Sequence, residues 1–153
     1  MTVAEYVWAE GSRLKADPAV VGKALQRLFR NGQSTPQAIV QAAKPPHSPL
    51  HPIFEWSDVV AGGLYREEQA RHLARSIRII REPGGEPERL YVHVTTEKLD
   101  AYVTSARIAG DVELQEALLR EAVSYLRGAQ KRYGELSALK GVWQALDEID
   151  SAD

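Results

Sequence analysis

The sequence predicts a mostly helical α+β protein in two parts. A winged-helix-like module, with three helices and a β-hairpin, is expected over residues 15–96, and a helical segment over residues 104–150. Three observations indicate this arrangement. Pairs in which proline follows a capping residue mark helix starts in the first part of the chain. Two β-branched segments then flank a loop rich in Gly and Pro, and a wide apolar stripe at helical spacing follows.

Composition limits the class of protein further. The 153 residues include no cysteine, which excludes disulfides and thiolate metal sites. No segment approaches the roughly 18 apolar residues of a membrane helix, and no signal peptide is visible, so we expect a cytoplasmic protein with no membrane partner. Residues 1–81 carry 11 Lys and Arg against 7 Asp and Glu, whereas residues 82–153 carry 8 against 14. This split, from +4 to −6, suggests different partners for the two parts; the alternative is that the asymmetry arises by chance.

The first helices are defined by their ends. Asp17-Pro18 begins one helix and Asn31-Gly32 stops it, because proline suits the first helical position and glycine suits the end. Thr35-Pro36 begins a second helix, which Pro45-Pro46 terminates. Residues 4–14 are compatible with a further short helix. Two short helices are therefore expected ahead of a proline-containing connector.

That connector, Ser48–Trp56, has the sequence SPLHPIFEW. Its two prolines hold the chain extended at low entropic cost, while four side chains give it an apolar face: Leu50, Ile53, Phe54 and Trp56. We interpret it as a strap that covers the end of the helical core and fixes the entry of the next helix. The alternative is a binding surface.

A longer helix is predicted from a cap at Ser57 to about Ile77. At 100° per residue it places Arg71, Arg75 and Arg78 opposite an apolar face. Gly62-Gly63 disfavours helix, so the helix is expected to kink there or to begin only at Leu64. The arginine face, with Arg81 beyond it, is the candidate DNA-binding surface. The alternative is a solvated face of ion pairs, since glutamates lie one turn before the arginines.

A β-hairpin is expected next, with Ile79-Ile80 and Leu90–Val94 as its strands and residues 83–87 as its loop. The chain is then expected to return to helix after Lys98. Helices followed by a hairpin form the order of a winged helix, a variant of the helix-turn-helix. The 12-residue gap from Pro45 to Trp56 argues against this reading, because a helix-turn-helix has a turn of about three or four residues.

The C-terminal part begins at Asp111, a helix cap. Its apolar side chains recur at the 3-4 spacing of a coiled coil, and they form the candidate association surface: Leu118, Tyr125, Leu136, Trp143 and Leu146. Gly134 either breaks this region into a helical hairpin or lies within one long helix. An apolar stripe of this width must be shielded from water, either by a second chain or by the rest of the same chain. We expect a homodimer; the alternative is a monomer whose helical hairpin docks on the first module.

Nothing in the sequence indicates catalysis. The phosphate-binding and nucleophile motifs of common enzymes are absent, so we expect no enzyme, no catalytic residue and no cofactor. His47 and His51, four residues apart, are compatible with a metal pair only on a helix. Pro49 and Pro52 disfavour that helix, and no metal site is predicted.

Four segments of the chain resemble, in order, a family of small proteins encoded by phages and prophages: TPQAIVQAAK, SPLHPIFEWSD, YREEQARHLARSI and QKRYGELSALKGVWQAL. The resemblance implies a phage or prophage context inside a bacterial host cell, and no site or activity. Together with the residue patterns, it leads us to expect a non-enzymatic DNA-binding protein that self-associates. The alternative is a protein–protein adaptor or particle-assembly component without nucleic-acid binding.

Overall fold

A computed structural model describes residues 4–60 and 62–152. The chain divides into two compact units, Met1–Gly110 and Asp111–Asp153. Helices dominate and two small antiparallel sheets accompany them, so the predicted α+β, mostly helical class is confirmed.

The first unit alternates helices with short strands. Its elements are β1 (Glu5–Trp8), α1 (Pro18–Leu28), β2 (Gln33–Ser34), α2 (Pro36–Ala43), α3 (Gly63–Ser76), β3 (Ile77–Ile80), β4 (Glu88–Arg89), β5 (Tyr91–Thr95), β6 (Asp100–Thr104) and α4 (Ser105–Ala109).

The predicted starts of α1 and α2 are confirmed by their caps. The Asp17 carboxylate accepts from the Ala19 N–H at 2.9 Å, and the Thr35 hydroxyl accepts from the Ala38 N–H at 3.1 Å. The short helix considered for residues 4–14 is wrong. Residues 5–8 form β1 instead, because they pair along the whole of β3, an interaction between distant parts of the chain that local patterns do not reveal.

The long helix begins later than predicted and ends, as predicted, near Ile77. Its N-cap is Gly62, without a side-chain cap, so the predicted cap at Ser57 is wrong and the alternative of a late start is nearly right. The two glycines account for this, because each disfavours a helix interior. At the other end α3 stops at Ser76, and the chain continues directly into β3. Arg78 therefore lies on a strand rather than on the helix.

The strands pair differently from the predicted hairpin. The strand β3 pairs with β1 and with the two-residue β4, whereas β5 pairs with β6 from Tyr91↔Thr104 to Thr95↔Asp100. The predicted pairing of Ile79-Ile80 with Leu90–Val94 is thus wrong, as is the return to helix after Lys98. Leu90 is buried and separates β4 from β5, so the chain passes there from one sheet to the other.

The second sheet joins strands from before α2 and after α3. Its strand order is β2-β6-β5, so the strand that follows α1 pairs with the last strand of the unit. The strands β3 and β4, which lie between α3 and β5, belong to the other sheet. The hydrophobic core contains side chains from both helices and strands. Phe29, the C-cap residue of α1, stacks on Tyr91 of β5 with 3.8 Å between the ring centroids.

The second unit contains α5 (Val112–Tyr133) and α6 (Lys140–Ser151), with a 3-10 turn at Ser137–Leu139 between them. Arg127 forms ion pairs with Asp147 and Asp150, which fixes the two helices as an antiparallel hairpin. Of the two alternatives at Gly134, the helical hairpin is therefore confirmed.

The single C-terminal stripe is consequently wrong. Trp143 and Leu146 are buried and Leu118 is half-buried, but the side chains of Tyr125 and Leu136 are 74% and 54% exposed. The apolar spacing continues through the turn between α5 and α6, where the chain reverses its direction. Residues before and after the turn therefore do not form one continuous surface.

Candidate nucleic-acid interface

The connector Ser48–Trp56 precedes α3 and is held in place by hydrogen bonds and ring stacking. The Trp56 indole Nε1–H donates to the His51 carbonyl at 2.9 Å, and the two rings stack at 4.9 Å. His51 Nδ1 lies 2.9 Å from the Ala43 carbonyl oxygen, near the end of α2. Because a carbonyl oxygen only accepts, Nδ1 carries the hydrogen, and His51 satisfies one of the free carbonyls of that helix end. These contacts hold the connector together and attach it to the end of α2, as expected of a strap.

Arg66 ties α3 to the connector, and the sequence patterns did not identify it. Its Nε–H donates to the Glu55 carbonyl at 2.9 Å and its terminal nitrogen to the Trp56 carbonyl at 3.2 Å. The guanidinium also pairs with Asp58 and lies 5.2 Å from the Trp56 ring centroid. A cation in the first turn of a helix opposes the helix dipole, so its position was a weak signal that a specific partner holds it.

The predicted arginines of α3 are paired with acids on the same helix. Arg71 lies 3.6 Å from Glu67 and 3.5 Å from Glu68, and Arg75 lies 3.2 Å from Glu68. The hydrogen bond from Arg75 is the main reason that the pKa of the Glu68 carboxyl is lowered. Arg71 and Arg75 therefore form the ion-paired helix face that was the alternative to a DNA-binding surface.

Arg78 and Arg81 lie beyond the helix, so the prediction that Arg78 shares one helical face with Arg71 and Arg75 is wrong. Arg78 extends from β3 and donates to the Arg75 carbonyl at 2.5 Å and the Ile77 carbonyl at 3.2 Å. Arg81 pairs with Glu88 at 3.0 Å and donates to the Ser105 hydroxyl at 3.2 Å. Arg78 thereby caps the end of α3, while Arg81 links β4 to the start of α4.

A like-charged pair lies beside this helix end. Arg78 of β3 and Arg89 of β4 occupy directly opposed positions in the ladder. Burial, and secondarily the charge of Arg89, lower the pKa of Arg78. Within the described residues, neither of these two guanidinium groups has a carboxylate partner. We refer to Arg75, Arg78 and Arg89 as the arginine cluster; sequence patterns missed Arg89 because they did not place it on β4.

Two shallow grooves border α3. One, of about 350 Å³, runs beside its exposed face between Tyr65 and Arg75 and includes His72. The other, of about 200 Å³, lies between α2 and α3, with Trp56 and Arg66 among its walls. Neither resembles a metal site: among the described residues, no three His, Asp or Glu side chains are placed to share an ion. His47 is exposed, and His51 is engaged with α2.

Comparison of this chain with protein-family models, with curated proteins and with solved structures finds no match. The resemblance to phage-encoded proteins, and the bacterial host setting it implies, therefore stay predictions. Over the part of the chain that the structure covers, no helix has the length and hydrophobicity needed to cross a membrane.

Proposed function

We propose that this protein binds duplex DNA through its first unit, catalyses no reaction, and self-associates through its second unit. One observation carries the DNA proposal. Helix α3, the third helix of a unit that we interpret as winged-helix-like, ends at a cluster of arginines, two of which have no carboxylate partner among the described residues.

Phosphate is the ligand that suits this cluster. Like charges directly opposite each other in a sheet destabilise it, and an anion between Arg78 and Arg89 would reverse that effect. Arginine binds phosphate oxygens with two parallel hydrogen bonds, and it stays charged even where burial lowers its pKa. A winged helix presents its third helix to a groove of DNA, which brings the end of α3 close to the backbone.

The acidic residues restrict where the DNA lies. Glu67 and Glu68 neutralise the middle of α3, so contacts are expected near its C-terminal end. Residues 111–153 carry 9 Asp and Glu against 5 Lys and Arg, which repels DNA from the second unit. The contacts we infer are with phosphates, which position a protein on DNA and give little sequence discrimination.

Replacement of Arg78 and Arg89, the two arginines of the cluster without a carboxylate partner among the described residues, tests this proposal. In a fluorescence-anisotropy titration of labelled duplex at low salt, Arg78→Ala/Arg89→Ala is expected to weaken binding by about tenfold or more, because two phosphate contacts are lost. The matched control, Arg132→Ala/Lys140→Ala, removes the same charge from the second unit and is expected to bind like the parent. Equal affinity of both double variants would contradict the proposal.

A second candidate function, a protein–protein adaptor or particle-assembly component, is favoured by a separate observation. Four apolar side chains before and at the start of α3 are largely uncovered: Val59 (97% exposed), Val60 (70%), Leu64 (83%) and Tyr65 (53%). Exposed apolar residues that lie together mark contact sites for other proteins. In that case the same titration gives no binding by the parent or by either variant.

A further inference from the structure

The α5–α6 hairpin has an apolar stripe that the chain leaves uncovered. Every seventh residue of α5 is apolar, and all four members are exposed: Val112 (66%), Leu119 (50%), Leu126 (39%) and Tyr133 (42%). Ile149 of α6 is 40% exposed as well. The core of this unit is formed by other residues, such as Trp143 and Leu146, which are buried. A second apolar surface at heptad spacing is typical of a helix that packs against another helix.

The shape of this surface suits helix packing. Between α5 and α6 runs a groove of about 340 Å³, lined by Leu119, Val123 and Ile149. Glu116, Arg120 and Asp150 also line it. A groove that contains apolar side chains, beside an exposed apolar stripe, suits the packing of a second helix. We propose that a second copy of this chain covers the stripe, with the two α5 helices antiparallel about a two-fold axis.

Charge identifies the second copy as the occupant. Along one flank of the stripe, Glu113 and Glu116 lie toward the start of α5 and Lys131 lies toward its end, while Arg127 is paired with Asp147 and Asp150 of α6. In an antiparallel pair the same flanks of the two helices meet in opposite direction, so Glu113 and Glu116 of each copy lie near Lys131 of the other. An acidic or a basic partner would meet repulsion along half of this flank.

Arg120 is the one residue of this flank that departs from the pattern. The two-fold axis would bring it near Arg127 of the other copy. That guanidinium is already neutralised by Asp147 and Asp150, and their hydrogen bonds raise its pKa. The repulsion at the centre of the pair is therefore reduced, and the attraction toward its ends decides the orientation.

This inference specifies the surface for the self-association in the proposed function, and it does not depend on DNA binding. It also replaces the predicted stripe, because Leu119 and Leu126 lie on a different side of α5 from Tyr125. The heptad stripe predicts that Leu126 lies in the dimer interface, whereas the stripe predicted from sequence places the neighbouring Tyr125 there.

Light scattering on the full chain, coupled to size exclusion, tests the surface. The parent is expected to have the mass of two chains at about 50 µM, a concentration well above a micromolar dissociation constant. Leu126→Glu is expected to give a single chain, and Tyr125→Glu, its matched control, the mass of two. Both carry the same new charge at exposed helical positions, and circular dichroism checks their folding. A monomeric parent, or a dimer disrupted only by Tyr125→Glu, would overturn the proposal.

A charge exchange tests the antiparallel orientation. Glu116→Lys and Lys131→Glu are each expected to weaken the dimer severalfold, since each places like charges opposite across the interface. The two changes combined are expected to restore it. Single variants that associate like the parent would overturn the antiparallel arrangement. Anisotropy with duplex DNA, measured in parallel, separates failure of this interface from failure of the DNA proposal.

Discussion

The connector Ser48–Trp56 and the α5–α6 hairpin both attract attention in the sequence, the first for its prolines and aromatics and the second for its leucines. In the connector, the chain itself supplies the partners: the Trp56 indole, the His51 ring and two backbone carbonyls all form hydrogen bonds within the first unit. In the hairpin, apolar side chains at heptad spacing are left exposed. Groups that the chain satisfies internally are structural, and groups that it leaves unsatisfied indicate where a partner binds.

The arginines show the same contrast at smaller scale. Arg66 donates to two carbonyls of the connector and pairs with Asp58 just after it, and only 15% of its side chain is exposed. Arg78 and Arg89 face each other across two strands without a carboxylate among the described residues. The first is a structural clamp, whereas the second pair is suited to an external anion.

Replacement of Arg66 should give the largest effect. Arg66→Ala is expected to lower the free energy of unfolding by about 2–3 kcal/mol, because it leaves the Glu55 and Trp56 carbonyls without their charged donor. The matched control, Arg71→Ala on the same helix, removes only partly exposed ion pairs and is expected to cost about 0.5 kcal/mol or less. Urea denaturation followed by circular dichroism measures both. Equal losses would remove the distinction between clamp and surface arginine.

Trp56 in the connector and Trp143 in the α5–α6 hairpin allow the stability contributions of the two regions to be compared. Trp56 donates to the His51 carbonyl, whereas the buried indole N–H of Trp143 has no hydrogen-bond partner in the part of the chain that the structure describes. Changing either to Phe removes the same volume. Trp56→Phe is therefore expected to cost about 1 kcal/mol more than Trp143→Phe, the value of one hydrogen bond. The same urea titration checks this, and a larger loss for Trp143→Phe would show that its N–H is satisfied in solution.

The sequence was a good guide where structure is local. The starts of α1, α2 and α5 follow from capping residues, and these three caps form their hydrogen bonds, unlike the cap predicted at Ser57. The glycines at 62 and 63 indicated the late start of α3. The Ser48–Trp56 strap was recognised because prolines and a local apolar face act within a few residues.

Long-range pairing was not predictable in the same way. The strand β1 is recognisable only through β3, which lies some seventy residues later, and the register of β4 decides that Arg78 faces Arg89. A single sequence does not indicate which of several β-branched segments will pair. The C-terminal stripe failed for a related reason, because periodicity continues through Gly134 although the chain turns there. The arginine cluster is thus visible only in the folded chain.

The salt dependence of DNA binding tests the proposed function most directly. Anisotropy of a labelled duplex, measured from about 20 to 200 mM salt, reports how many counterions are released as phosphates are neutralised. With two or three contacts from the arginine cluster, the logarithm of affinity is expected to fall linearly with the logarithm of salt, with a slope of about −2 to −3. A protein that does not bind at about 10 µM in the lowest salt, or whose affinity does not change with salt, would contradict the account.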